Sequence, residues 1–310
     1  MPSQERTIAF VGCGRGVPSQ QMTQTAYNST GNMGGAILHG VLRAAFPHPS
    51  DQSQARPISK FIACTKTAPS AERLKASISE AHQQYVHVVS AKMIESMQAA
   101  DYIVLGFKPF MADDLLSLEG VKKAIAGKLV ISLLAGQTPQ NLARIIKQSS
   151  TEECPQPYIM KAIPNMGAQF RESMTTIEEP GEDFPPELRG VTDWIFTQIG
   201  DIKYLPQSQM DLASVLVGAA LAAMTVPIEG ILDGCVAEGL KRPDAMQLLL
   251  KGIRGLSAAL ESGIHPAVLR ESISSPRGCT IQALLALEQA GSRADYAEAI
   301  IRGTQHLKKQ

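Results

Sequence analysis

Aromatic residues are scarce in this 310-residue chain, at 5%, and net charge is absent, since 29 basic side chains are balanced by 29 acidic ones. No long basic run occurs. A dedicated nucleic-acid binder needs clustered Lys and Arg to displace phosphate counterions, so the charge pattern argues against nucleic-acid partners. The five cysteines (13, 64, 154, 235 and 279) form no CxxC or Cys/His spacing. Widely separated thiols in odd number read as reduced, in a cytoplasmic setting, with no metal site. The opening MPSQERTIAFVG carries charge at Glu5 and Arg6 and an apolar run too short for a signal sequence, so secretion is not expected. A membrane span is lacking as well. The uncharged run LASVLVGAALAAMTVPI (212–228) falls short of the roughly 20 apolar residues such a span needs. It contains Ser214, Thr225 and Pro227, and reads as a helix buried in the protein core or in a subunit interface. What is present is 44% hydrophobic residues, too apolar and too evenly charged for disorder. The chain is long enough for a substantial core, so the expectation is a soluble globular enzyme.

Short apolar runs alternate with helix-like stretches through the first two thirds. TIAFVGCG (7–14), KFIACT (60–65), YVHVVS (85–90), DYIVLGF (101–107), KLVISLLAG (128–136) and the start of YIMKAIPNMG (158–167) read as strands. Their apolar residues are continuous rather than alternating, the mark of a parallel sheet covered on both faces. TIEEPGEDFPPELRG (176–190) is acidic and rich in Pro and Gly, and reads as a surface loop; WIFTQIGDIKYL (194–205) gives a last helix-to-strand passage. From Gln207 onward the punctuation at Pro243, Gly263, Pro266, Pro276 and Gly291 separates helices only. The expected architecture is α/β: a doubly wound dinucleotide-binding sheet over 1–206 and an all-helical domain over 207–310.

The first strand ends in Gly12-Cys13-Gly14, the opening of a Rossmann phosphate turn, where backbone N–H groups and a helix N-terminus receive a pyrophosphate. GxG alone is equally an ordinary tight turn. The full fingerprint requires a further glycine three residues later, and here residues 15–31 intervene before Asn32-Met33-Gly34-Gly35. Removal of 15–31 gives IAFVGCG-NMGGAILHG, an uninterrupted GxGxxGG running into a helix. The polar segment is read either as a retained intron, which is preferred, or as an inserted loop that would weaken cofactor binding.

With that splice the sequence resembles the pyrroline-5-carboxylate reductase family, as a divergent paralogue of fungal type. Five blocks in family order carry the resemblance: IAFVGCG…NMGGAIL, DYIVLGFKPF, LVISLLAGQT, KAIPNMGAQFRESM and, most specifically, HPAVLRESISSPRGCTIQALLALEQAG. The resemblance implies NAD(P)H-dependent reduction of 1-pyrroline-5-carboxylate, or a substituted analogue, to proline or its analogue. It also implies a helical domain that forms a homodimer or a larger homo-oligomer. It assigns Gly12, Gly14, Asn32, Met33, Gly34, Thr65, Lys66, Lys108, Pro109 and Asn165 to the cofactor, and Ser275, Gly278 and Thr280 to the substrate, with Thr280 beside the imine nitrogen. The residues alone leave Thr280 equally an N-cap and Asn165 equally a structural turn residue. After the second strand stand Cys64-Thr65-Lys66-Thr67, then Ser70 and Arg73, with no acidic residue for a ribose 2′-hydroxyl. Hydroxyls and cations suit a 2′-phosphate, so NADP(H) is expected, with NAD as an alternative.

Hydride transfer to a protonated cyclic imine needs orientation more than covalent help, which fits the lack of a Ser/His/Asp arrangement. His39 and His265 read as surface or turn histidines. The chain departs from the family where SGSGPAY is replaced by Val217–Ala223, and where Arg277 and Cys279 stand in place of Gly and Thr. These departures leave open a substituted pyrroline as substrate, or a catalytically silent dimeric relative. A hydroxy-acid dehydrogenase would want a catalytic Lys with a Gly-rich partner motif in the helical domain, which is not found.

Overall fold

Runs of β-branched and aliphatic residues that must be covered on both sides build the centre of the molecule. The computed structural model describes residues 6–12, 32–46 and 57–308. Among them, eight strands form one sheet: β1 (Thr7–Val11), β2 (Lys60–Thr65), β3 (Val86–Ser90), β4 (Tyr102–Leu105), β5 (Leu129–Ser132), β6 (Tyr158–Ile163), β7 (Ser173–Glu178) and β8 (Gly200–Leu205). Their spatial order is β3-β2-β1-β4-β5-β6-β7-β8. β1 to β6 are parallel, β7 runs antiparallel to β6, and β8 is parallel to β7.

β4 and β5 are buried at every position. Side chains alternate between two cores, as a two-residue period requires. Tyr102 and Val104 join Phe10, Phe61 and the helix α1 (Asn32–Ala45), whereas Ile103 and Leu105 join Val130, Leu142 and Ile145 on the opposite face. The doubly wound α/β architecture is therefore present, with β1, β2, β4, β5 and β6 ending at one edge, where ligands bind in such sheets. α1 is pressed close to its neighbours. A Cβ on Gly40 would stand 2.5 Å from Ile199 Cγ2 and 2.8 Å from the Ala168 carbonyl oxygen.

Three expectations are corrected. The segment 176–190 is not loop throughout, because Thr176, Ile177 and Glu178 complete β7, in which every residue but Met174 is buried. The acidic, Pro-rich composition downstream masked a strand of β-branched residues. His39 is not a surface histidine. It lies half-buried on α1 with Nε2 3.0 Å from Ser77 Oγ, and burial, aided by Arg43 and His82, lowers its pKa to about 4. The apolar run at 212–228 belongs to a longer helical stretch, Gln207–Ala237, which is long and apolar enough to cross a membrane; 17% of its apolar 18-residue window is buried within the chain. Of the two settings expected for it, a core of this chain does not enclose it, and a subunit interface remains.

The chain divides into two compact units, Met1–Gly218 with Leu307–Gln310, and Ala219–His306. The change of sequence pattern at 206/207 precedes this division, because Met210 and Val217 still bury against Ile163. Unit two consists of helices Ala220–Ala237, Arg242–Glu261, Pro266–Ser272, Cys279–Gln289 and most of Ser292–Leu307. Its described residues include only two buried side chains, Leu232 and Ala245, while Val226, Leu248 and Ile273 are each more than 60% exposed. Five helices with almost no interior of their own need an external partner for their apolar surface.

Candidate active site

The site in the first unit is built at the carboxyl edge of the sheet. β1 turns at Gly12, which has φ +90° and donates its N–H to the Cys64 carbonyl at 3.0 Å. A Cβ there would lie 2.6 Å from the Phe107 nitrogen, so only glycine lets β1 and the segment after β4 approach so closely. A Cβ on Gly106 would in turn meet the Val11 carbonyl oxygen at 3.5 Å and Gly34 N and Cα at 3.8 Å. Gly12, Gly106 and Gly34 therefore form one backbone junction, and it lies under the N-terminus of α1. The first turn of α1 (Asn32, Met33, Gly34) carries no acidic side chain. Free N–H groups and the helix dipole make this a seat for an anion. Gly14 and residues 15–31 lie outside the described residues. Sequence reasoning did not single out Gly106; its signal was a glycine directly after a wholly apolar strand.

At the end of β2, Thr65 is 2% exposed and its hydroxyl donates to the Thr67 and Val89 carbonyls at 3.0 and 3.3 Å. Thr65 therefore shapes the turn, and the groups open to a ligand are those that follow it. Lys66 is exposed; Thr67 caps the helix α2 (Ala68–Ser77). Thr67 Oγ1 lies 2.9 Å from Ser70 Oγ, which also accepts from Arg73 at 3.0 Å. A hydroxyl pair with a guanidinium and an ammonium, at a helix start without acidic residues, is suited to a phosphate monoester.

Lys108 and Pro109 form the turn after β4 and are partly exposed; Met111 N–H closes it on the Lys108 carbonyl at 2.9 Å. Beyond β6, Asn165 is buried and does form a structural turn: its Oδ1 accepts from Gly167 N–H at 2.9 Å, and its N–H donates to Ser173 Oγ at 3.1 Å. Its side-chain amide nitrogen has no partner among the described residues.

In the second unit, the turn Ser275-Pro276-Arg277-Gly278 is closed by Gly278 N–H on the Ser275 carbonyl at 3.0 Å. Arg277 adopts φ +61°, a left-handed conformation that suits glycine. The next helix starts at Cys279 rather than near Ile281, with Gly278 as its N-cap. Thr280 is thus inside the first turn and does not cap it. Among the described residues its hydroxyl and that of Ser275 have no hydrogen-bond partner, so both are free for a ligand beside the unpaired N–H groups of the helix start. His265 caps the helix Pro266–Ser272 through Nδ1. No group of three or more metal-ligating side chains occurs among the described residues.

Residues 207–310 match the family described as pyrroline-5-carboxylate reductase dimerisation, and residues 29–136 match NADP oxidoreductase, coenzyme F420-dependent. The chain is 31% identical over 312 residues to a pyrroline-5-carboxylate reductase of Lophium arboricola, across 97% of this chain and 92% of that protein. Identity to the Neurospora crassa enzyme of the same name is 32%, with the same coverage. The chain belongs to the pyrroline-5-carboxylate reductase family. Its fold is similar to Plasmodium falciparum pyrroline carboxylate reductase with NADP bound (TM-score 0.75, 20% identity, 98% of this chain and 97% of that one). It is equally similar to 1-pyrroline-5-carboxylate reductase of Streptococcus pyogenes (TM-score 0.74, 21% identity, 99% of each chain). Within this reductase family member, the oxidoreductase match begins at residue 29, past β1 and past nearly all of the segment that separates Gly14 from Asn32. The dimerisation match covers the helices whose apolar side chains lie open.

Proposed function

We propose that this chain reduces 1-pyrroline-5-carboxylate, or a substituted analogue, to proline or its analogue, with NADPH as the preferred hydride donor and NADH as a weaker one. The observation that carries the reading is the junction of Gly12, Gly106 and Gly34 beneath an α1 N-terminus free of acidic side chains. A dinucleotide fits there: the glycines let bare backbone close up beneath the start of α1, whose N–H groups, with Gly14, Asn32 and Met33, would hold a pyrophosphate. Lys66, Thr67, Ser70 and Arg73 suit the 2′-phosphate, while Lys108, Pro109 and the free amide nitrogen of Asn165 suit the nicotinamide ribose.

When bound, the nicotinamide supplies the hydride. The chain's part is orientation and electrostatics. Ser275 and Gly278, with the helix start at Cys279, would hold the substrate carboxylate. The free Thr280 hydroxyl would accept from the protonated imine nitrogen and fix the face presented to the donor. Removing a hydrogen bond to a charged group is worth about 1.5–3 kcal/mol, so Thr280→Ala should lower kcat roughly 10- to 100-fold and Thr280→Ser should restore most of it.

The exposed apolar helices of the second unit support a homodimer or a larger homo-oligomer, which covers them without a bilayer. The described cysteines, Cys64, Cys154, Cys235 and Cys279, are free thiols, in keeping with the cytosol. The decisive experiment follows NADPH consumption with 1-pyrroline-5-carboxylate, and proline-dependent NADP+ reduction in reverse. Substrate-dependent turnover faster with NADPH than with NADH is expected. No turnover by the full chain or by a chain lacking residues 15–31 would leave a silent dimeric relative.

A further inference from the structure

A polar cavity lies in the first unit, beside β6 and the end of β7. It measures about 150 Å³ and is lined by Met160, Lys161, Glu178, Gly181, Gln140 and Phe184, with the exposed Glu179 also on its wall. Lys161 is 2% exposed and Glu178 is 6% exposed. The antiparallel pairing of Ala162 with Ile177 puts these two residues opposite each other one step further along the strands.

Neither charge is satisfied by the protein. Among the described residues the Lys161 ammonium has no hydrogen bond or ion pair, and Glu178 Oε2 is buried without a partner. Lys161 and Glu178 act on each other, and Asp211 on the helix Met210–Ser214 acts on both, through their fields and without direct contact. Burial lowers the Lys161 pKa and raises that of Glu178 from their ordinary values, so both charged forms would gain from counter-charges between them. Buried ions left unpaired are destabilising, and a pair held apart across a cavity is a receptor for a molecule that carries both charges.

We propose that this cavity binds a small zwitterionic imino or amino acid, with its carboxylate on the Lys161 ammonium and its ammonium on the Glu178 carboxylate. The volume suits a molecule of that size and lies below the roughly 300–1,000 Å³ of pockets for larger ligands. That the occupant is an imino acid rests on the proposed reaction, whose product is one; the zwitterion chemistry rests on the cavity alone. Such a site would let product act on the sheet beneath Asn165, four residues along from Lys161, without entering the catalytic centre.

The test is a titration of the full-length, cofactor-free protein with proline, read from 13C-labelled methionine methyls. Met160 reports the cavity and Met166, beside Asn165, reports the catalytic edge. Proline should shift Met160 saturably, whereas acetate and pyrrolidine, each carrying one of the two charges, should leave it unmoved. Lys161→Met should weaken the response at least tenfold. Gly181→Leu, which keeps both charges and grows from a position where a Cβ meets nothing within 4 Å, should do the same by filling the cavity. An unmoved Met160, a Met160 moved equally by acetate or pyrrolidine, or a response unchanged in Gly181→Leu overturns the proposal and leaves a cavity of water. Failure of the reductase reading shows separately, as a chain without imine turnover in which Met160 still responds.

Discussion

Gly12 lies so close beneath Phe107 that a Cβ on it would stand 2.6 Å from the Phe107 backbone nitrogen. Backbone cannot yield as a side chain can, and φ +90° adds about 1–2 kcal/mol for a residue with a Cβ. Gly12→Ala should therefore lower Tm by several degrees and raise the NADPH Kd at least tenfold, measured by thermal melting and fluorescence titration. Gly190→Ala is the control. A Cβ there meets nothing, and the position lies inside a helix, so stability should be unchanged or slightly higher.

Cofactor choice should follow the Ser70–Arg73 contact. Arg73 donates to Ser70 Oγ at 3.0 Å, next to the Thr67 hydroxyl, with no carboxylate to receive a ribose 2′-hydroxyl. Arg73→Ala should raise the KM for NADPH roughly tenfold, the worth of one charge-assisted hydrogen bond, and leave that for NADH unchanged. Equal loss with both cofactors would mean that Arg73 serves only the helix.

The parts of the site that depend on local chemistry are readable in the sequence. TIAFVG and KLVIS declare buried strands because their apolar residues, Ile8 to Val11 and Leu129 to Ile131, run without a break, and the glycine after the first must be a turn. β7 is not readable in the same way. Its burial comes from pairing with β6 and β8, which no local pattern contains, and the acidic residues beyond it point to solvent. The isolation of Lys161 and Glu178 is hidden for the same reason, since a lysine in KAIPN is buried only if β7 lies beside it. Ser275 to Thr280 occupy a middle position. The helix start is local, but that Thr280 stays free rather than capping depends on two residues of register.

Gly278 should control the position of the Ser275 hydroxyl. A Cβ at 278 would meet Ser275 Oγ at 2.4 Å, and a serine hydroxyl can rotate away. Gly278→Ala should thus leave Tm within a degree or two, yet raise the KM for the imine several-fold as the hydroxyl leaves its place. A large fall in Tm would show instead that the turn itself, already strained at Arg277, cannot adjust.

Stability should decline in mild acid through His39. Its folded pKa is about 4, well below the ordinary 6.5 of a histidine, so the unfolded chain takes up the proton first. Stability is then fully present above about pH 6.5, falls as the pH drops toward 4, and levels off below. The loss is on the order of 3 kcal/mol at most. His39→Gln keeps a partner for Ser77 without titrating, so melting curves of the variant should be flatter over that window, and parallel curves would assign the acid lability to other groups.

Residues 15–31 supply the last prediction. Between Gly12 and Gly34 stand 21 residues (13–33), and deletion of 15–31 leaves four: Cys13, Gly14, Asn32 and Met33. Closing a loop costs about 0.6 kcal/mol more for each doubling of its length, and the two lengths differ by somewhat more than two doublings. About 1.4 kcal/mol, or tenfold in affinity, is thus what deletion should contribute to NADPH binding, and the splice also brings Gly34 into register as the third glycine of GxGxxG. A tighter NADPH Kd in the shortened chain, together with mature transcripts lacking these codons, identifies the segment as retained intron. Loss of binding on deletion, or transcripts that always carry the codons, would make it a working part of the protein, because a segment that opposed closure of the phosphate turn would have had to be offset by contacts of its own.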